Sequence, residues 1–208
     1  EEGVPFEVVS RDDQHAEIGT DAYFGGVVLK QHASVDPAKY YSGVLDLAKK
    51  TGVAVTDNCP ALEIRREGKA FVVTTPTGDI RAEKIVIATN GYTTSLVPWL
   101  QRRVIPIGTY MIATDPLPKA LMDKLFPTDR VASDTCKVIY YYRPSPDRSR
   151  ILFGGRVSAA ETNPTISGPR LHNDMCRIFP ELADYGYTHS WTGKVAFTFD
   201  THAHLGQH

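Results

Sequence analysis

The 208-residue chain sets 23 Lys and Arg against 24 Asp and Glu, a formal net charge of −1, with 42% hydrophobic and 23% charged residues. These totals suit a globular protein with a sizeable core, and the scattered basic residues leave no electrostatic footprint for nucleic acid. No apolar run approaches the roughly 18 residues of a membrane-spanning helix. The start, Glu1-Glu2-Gly3, is acidic, lacks an initiator Met and carries no signal pattern, so the chain reads as trimmed or internal. Cys59, Cys136 and Cys176 are far apart and form no CxxC, which points to a reduced, cytoplasmic compartment and to thiols acting as small buried hydrophobes.

In chain order, 7–9 reads as a short strand, 11–18 as a polar helical turn, and 23–29 as an apolar strand entered through Gly25-Gly26. Paired glycines there mark a bulge or a close backbone approach. Asp36-Pro37 opens a helix, with Asp36 suited to the cap and Pro37 to the first turn. Tyr41, Val44, Leu45 and Ala48 share one helical face, Lys49 and Lys50 favour the C-terminus, and Gly52 ends the helix. Strands follow over 53–56, 62–65, 71–74 and 80–82, separated by the turns Glu67-Gly68-Lys69 and Thr77-Gly78-Asp79.

Ile85-Val86-Ile87 is a run of β-branched residues that suits a strand buried on both faces. It ends in Ala88-Thr89-Asn90-Gly91, where small residues admit a ligand to the backbone and Gly91 is free to take positive φ. A buried strand closed by an ordinary Asn-Gly turn is the plainer alternative.

Beyond Tyr92 the texture changes. A short helix over 95–102 leads into a long β-like stretch, 103–114, interrupted by Pro106 and Gly108. A helix over 118–126 comes next, then strands over 138–143 and 151–156 joined by Pro144-Ser145-Pro146-Asp147. A helix over 167–179 stops at Pro180, and strands over 185–191 and 194–199 precede a histidine-bearing loop. The fold class expected is α+β, mixed α/β. Residues 36–92 look like half of a nucleotide-binding α/β unit, and 103–199 like an antiparallel sheet with helices able to shape a substrate cavity.

Candidate chemistry is sparse. There is no catalytic-triad motif, P-loop, HExxH or GxGxxG. Tyr140 and Tyr142 fall on one face of their strand, Tyr141 and Arg143 on the other, and one face suits a flat ring or an amine. Gly154-Gly155 on the partner strand leaves room for a ring system, and Arg156 suits a carboxylate. An aromatic core strand and a bulge with a surface Arg are the alternatives. Asp200, His202, His204 and His208 look only superficially like metal ligands, and no metal is assigned.

Read together, Gly25-Gly26, Asp36-Pro37-Ala38-Lys39-Tyr40, residues 82–92 (AEKIVIATNGY), 103–108 (RVIPIG), 112–114 (IAT), 140–143 (YYYR), 152–156 (LFGGR) and 191–198 (WTGKVAFT) are ordered and spaced as in a known family. The chain resembles the D-amino-acid-oxidase-like FAD-dependent oxidoreductases, in particular their γ-glutamylputrescine oxidase-like branch. The resemblance covers nearly the whole chain. It implies lead-in strands of a substrate domain over 1–35, a partial FAD-binding Rossmann-like domain over 36–92, an antiparallel substrate domain over 93–190, and a return toward the FAD-binding domain over 191–208. It implies oxidation of the C–N bond of a small amine or amino acid, with FAD as cofactor and O₂ as acceptor. Carried over residue by residue, Ala61 meets the adenine end of FAD. Ala88, Thr89, Asn90 and Gly91 flank its ADP part, and Tyr142, Arg156 and Trp191 line the substrate cavity. No catalytic residue is assigned.

Three departures bear on the cofactor. The strand–GxGxxG–helix segment is absent, so is the glycine-rich segment beyond Gly206 expected at the flavin end, and Ala203 stands where relatives carry the proline of an Asp-x-x-Pro-x-x-Gly segment. Without the phosphate-binding helix terminus, the expectation is that this chain alone does not hold FAD tightly. A non-catalytic ligand-binding or interaction module derived from the same fold is the competing reading. A metal-dependent hydrolase resting on the terminal histidines is a third.

Overall fold

A computed structural model describes residues 3–136, 139–156 and 163–206. Val138, the first residue of one expected strand, and His208 lie outside them. The chain divides into two units, the first taking the chain to Asp36 and Gly108–Gly193, the second Pro37–Ile107 and the chain from Lys194. The architecture is mixed α/β with antiparallel sheets.

In the first unit, β1 (Phe6–Ser10) and β2 (Gly25–Leu29) form an antiparallel pair. Five further strands make one sheet: β6 (Ile105–Thr114), β7 (Ala132–Ser133), β8 (Tyr140–Pro144), β9 (Ile151–Gly155) and β10 (Tyr187–Phe197), in the order β10-β6-β9-β8-β7. The unit boundaries fall inside β6 and β10. Two expected breaks are absent. β6 runs unbroken past Pro106 and Gly108; β9 pairs with Tyr110 to Ala113 on one edge, and β10 flanks the other. β10 likewise continues through Gly193, held by Thr192 Oγ1 donating to the Thr109 carbonyl at 2.9 Å and Thr109 Oγ1 donating to the Gly193 carbonyl at 3.3 Å.

The core of this unit follows from period-2 alternation. Tyr110, Ile112, Ile151 and Phe153 are fully buried, and so are Met122, Leu125, Leu171, Met175, Phe179 and Leu182 from the helical layer. That layer comprises α3 (Lys119–Leu125), α4 (Pro164–Ile178) and, after Phe179, the 3-10 turn Pro180–Leu182. Helix α4 begins earlier than its apolar pattern suggests. The Asn163 side chain accepts from the Thr165 amide at 2.9 Å and Pro164 occupies the first turn, which together fix the start.

The second unit carries α1 (Pro37–Lys50), α2 (Pro98–Gln101) and a three-stranded antiparallel sheet of β3 (Glu63–Glu67), β4 (Ala70–Thr75) and β5 (Gly78–Ala82). Helix α1 ends as expected at Gly52, whose φ is 90°. Val53 N–H donates to the Ala48 carbonyl and Gly52 N–H to that of Lys49, a pairing that satisfies the last turn. Its apolar face is less covered than its spacing predicts. Leu45 and Ala48 are half-buried, while Tyr41 and Val44 are exposed. On the sheet, Val72 stands in register between Arg65 and Arg81 and is 4% exposed. Arg65 pairs with Asp79 at 2.7 Å and Glu67 at 3.1 Å, and Arg81 pairs with Glu67 at 3.0 Å, so their aliphatic stems flank Val72 while their heads stay wet.

Two expected strands do not form. Residues 53–56 and 85–87 belong to no described sheet, with Val53 and Val55 exposed. β-branched residues favour extended backbone, but a strand also needs a neighbour to pair with, and no described strand pairs with either segment.

Candidate functional site

Residues 84–89 lead into the candidate cofactor turn. Ile85 and Ile87 are half-buried and Val86 is 87% exposed, so this segment is covered on one side and not on both as its composition suggests. The chain then folds into a 3-10 turn, Asn90–Tyr92, closed by Tyr92 N–H donating to the Thr89 carbonyl at 3.0 Å. The Thr93 hydroxyl caps it, donating to the Asn90 carbonyl at 2.8 Å and lying 2.7 Å from Thr89 Oγ1.

The left-handed residue of this turn is Asn90, with φ 49°, and not Gly91. Asn tolerates that region better than other non-glycine residues. Gly91 serves a different need: a Cβ there would lie 2.7 Å from the Lys194 carbonyl carbon and 2.8 Å from Lys194 Cβ. The backbone of 194–196 therefore runs hard against the turn. Asn90 Oδ1 accepts from the Ala196 amide at 2.8 Å, and Tyr92 Oη accepts from the Lys194 amide at 3.2 Å. The partner is a backbone N–H, which identifies the amide atom facing it as the oxygen. The segment continues into a self-bonded turn. Thr198 Oγ1 donates to the His202 carbonyl at 2.8 Å, and Asp200 accepts from the His202 amide at 3.2 Å and pairs with His204 Nε2 at 3.0 Å. His204 and the His202 amide hold the Asp200 carboxyl at about 2. Among the described residues, no three His, Cys, Asp or Glu side chains are placed to hold a metal.

Ala61, Ala88 and Thr89 are small and exposed. Such positions leave the backbone open to a flat, extended group. The structure brings Asn90 and Gly91 together with 194–196, an association that spans 106 residues for Asn90 and that no local pattern announces.

In the first unit the tyrosine strand resolves into two environments. Tyr142 is 3% exposed; its ring stacks on Phe153 at 5.5 Å and meets Phe126 and Phe179 edge-on. Its hydroxyl donates to Tyr23 Oη at 2.8 Å, and burial drives its ionisation far above the ordinary phenol range. Tyr23 itself is pushed up to about 12 by burial. Tyr140 stacks on Phe153 at 5.3 Å and donates to Asp174 at 2.9 Å, and its phenol also rises to about 12, through burial first and Asp174 second.

The paired glycines of β9 do not leave a vacant space for a ring. A Cβ on Gly154 would lie 2.1 Å from Met111 Sδ and 2.3 Å from Tyr141 Cε2, and one on Gly155 would lie 2.7 Å from Tyr140 Cδ1. Tyr141 and Tyr140 pair directly across from these glycines, so the protein's own rings fill the room. Arg156 follows β9 directly and is exposed, and Trp191 lies mid-strand on β10 at 41% exposure. Tyr23, beside Tyr142, and Met111, beside Gly154, are neighbours that the sequence pattern does not single out; only the small size of Gly154 hints at Met111.

Among the described residues no helix is long and apolar enough to cross a membrane. A family model described as FAD dependent oxidoreductase (DAO) matches residues 1–208. The chain is 31% identical over 190 residues to a probable oxidoreductase OrdL of Rhizobium meliloti, covering 91% of this chain and 44% of that protein. It is 27% identical over 192 residues to the gamma-glutamylputrescine oxidoreductase of Escherichia coli, covering 92% and 45% respectively. In fold it is similar to the crystal structure of glycine oxidase from Geobacillus kaustophilus, with a TM-score of 0.78 at 17% identity, over 99% of this chain and 55% of that one. The chain thus spans less than half the length of these curated relatives.

Proposed function

From the chain's membership of the FAD-dependent oxidoreductase (DAO) family, we propose that it forms part of an enzyme oxidising the C–N bond of a small amine or amino acid, with O₂ as acceptor. The observation that carries this reading is the family match along the whole chain. The similarity to gamma-glutamylputrescine oxidoreductase supports an amine as the substrate class.

Bound FAD would accept the hydride equivalent from the substrate carbon. The chain's own residues bind and orient. Exposed Ala61 offers backbone to the adenine end, and Ala88 and Thr89, with the turn shaped by Asn90 and Gly91, flank the ADP part. On the substrate side, exposed Arg156 supplies a cation for a carboxylate and Trp191 an aromatic face for an amine. Tyr142 acts from behind, its buried ring fixing the strand that carries Tyr141 and Arg143. The domain roles follow the same reading, with 36–92 and 191–208 serving the cofactor and 93–190 the substrate. A non-catalytic binding module is the competing function.

The test is purification of the full-length protein carrying this sequence. It should be yellow, with flavin absorbance, and should consume O₂ on addition of a primary or secondary amine. A colourless protein that takes up no FAD on titration would overturn the proposal; a yellow one that reduces a carrier but not O₂ would overturn the acceptor.

A further inference from the structure

We infer that Asn90 is a positioning residue: its carboxamide latches the return segment 194–196, and through it the 198–204 turn, onto the Asn90–Tyr92 turn, and it serves the cofactor site by that latch. The inference rests on the FAD reading above only for its link to cofactor affinity. Three observations meet at one place. Asn90 adopts φ 49°, the conformation that aims its side chain across the turn while Asn90–Tyr92 stays hydrogen-bonded. Its Oδ1 is committed to the Ala196 amide at 2.8 Å, so this acceptor is already used within the protein. Tyr92 Oη takes the Lys194 amide, and Gly91 leaves no Cβ between them.

Spaced two residues apart, the Lys194 and Ala196 amides point to the same side of an extended strand. The latch therefore grips one edge of the return segment at two points. The 198–204 turn follows that segment, because the Thr198, Asp200 and His204 contacts close it on itself. The turn therefore moves as one piece with the end of the strand.

Substitution separates the latch from the backbone conformation. Asn90→Gly keeps access to positive φ and removes the acceptor, and Asn90→Asp keeps an acceptor at the same position. In the full-length protein, amide hydrogen exchange at Ala196 is read beside the FAD dissociation constant. Loss of one such hydrogen bond predicts that Asn90→Gly speeds Ala196 exchange and weakens FAD binding by similar factors, about fivefold each. Asn90→Asp should restore both, and Tyr92→Phe should speed exchange at Lys194. If Asn90→Gly weakens FAD with Ala196 exchange unchanged, the side chain meets the cofactor directly and the inference is overturned. Unchanged exchange with unchanged affinity overturns it as well. A wild-type protein that binds no FAD overturns the functional proposal, and the latch is then judged on exchange alone.

Discussion

The two units stabilise themselves by different means. The first carries a contiguous core, with the rings of Tyr110, Phe126, Tyr142, Phe153 and Phe179 packed among Leu, Ile and Met side chains. In the second, Val72 is the one buried hydrophobic residue among those described, and helix α1 has no buried residue at all. Its apolar side chains, Tyr41, Val44 and Leu47 on α1 and then Val53, Val55 and Val86, stand exposed. What holds the second unit is hydrogen bonding: the β3–β4–β5 ladders, the charged network above Val72, and the Asn90 and Tyr92 contacts to 194–196. A packed unit and a hydrogen-bonded one should respond to different perturbations, since hydrophobic burial dominates stability and each net hydrogen bond adds only about 1 kcal/mol.

Four experiments test this contrast. Phe153→Ala removes a fully buried ring from the centre of the first unit and should cost about 4 kcal/mol, read as a shift in urea midpoint. A loss below about 1 kcal/mol would show that the core is not what holds this unit. Gly154→Ala drives a methyl into Met111 and Tyr141 and should cost about 2 kcal/mol by the same assay, with an altered near-ultraviolet circular dichroism from the displaced ring.

Acid should act on the first unit through Glu17. Hydrogen bonding to Arg130 first, and then the charge of Arg130 and the Thr128 hydroxyl, hold this carboxyl below its ordinary value of 4.5. Its folded value is depressed, so the stability it contributes is present above pH 4.5 and is lost as pH falls through the folded value. Arg130→Met should flatten the acid limb of the stability curve; an unchanged limb would remove Glu17 from the account. The smallest effect is expected at the bare helix. Leu47 is 62% exposed, so Leu47→Ala should change stability by no more than about 0.5 kcal/mol. A loss comparable with that at Phe153 would mean that α1 is packed in solution and would erase the difference between the units.

The same division governs how much was legible in the sequence. Where a strand's alternation is answered by a partner in the chain, as in β8 and β9, the pattern read correctly to within a residue or two. At 53–56 and 85–87 the β-branched runs are just as marked, yet among the described residues no partner pairs with them, and pairing is not a property of the segment that carries the run. The breaks expected at Pro106 and Gly193 failed for a related reason. Whether a missing N–H or a glycine interrupts a strand depends on which residues the neighbouring strand engages.

The candidate cofactor turn was legible as small residues after an apolar run, but not its closure. Asn90 with Ala196, and Tyr142 with Tyr23, are contacts between residues 106 and 119 positions apart. Likewise, Gly154-Gly155 announces room beside β9, but only the register shows that Tyr141 and Tyr140 fill it.

The hydroxyl that Tyr142 extends to Tyr23 gives the first unit an optical gauge of its own. Of the chain's ten tyrosines, Tyr142, Tyr23, Tyr140 and Tyr141 are driven upward by burial, Tyr142 furthest. A raised folded value means that their contribution to stability is complete below the ordinary value of 10 and is lost as the solution becomes more alkaline. Phenolate absorbance from these four rings should therefore be delayed as base is added. The rise that carries Tyr142 should arrive together with the collapse of the sheet that buries it, so that one absorbance trace reports both the ionisation and the integrity of the core.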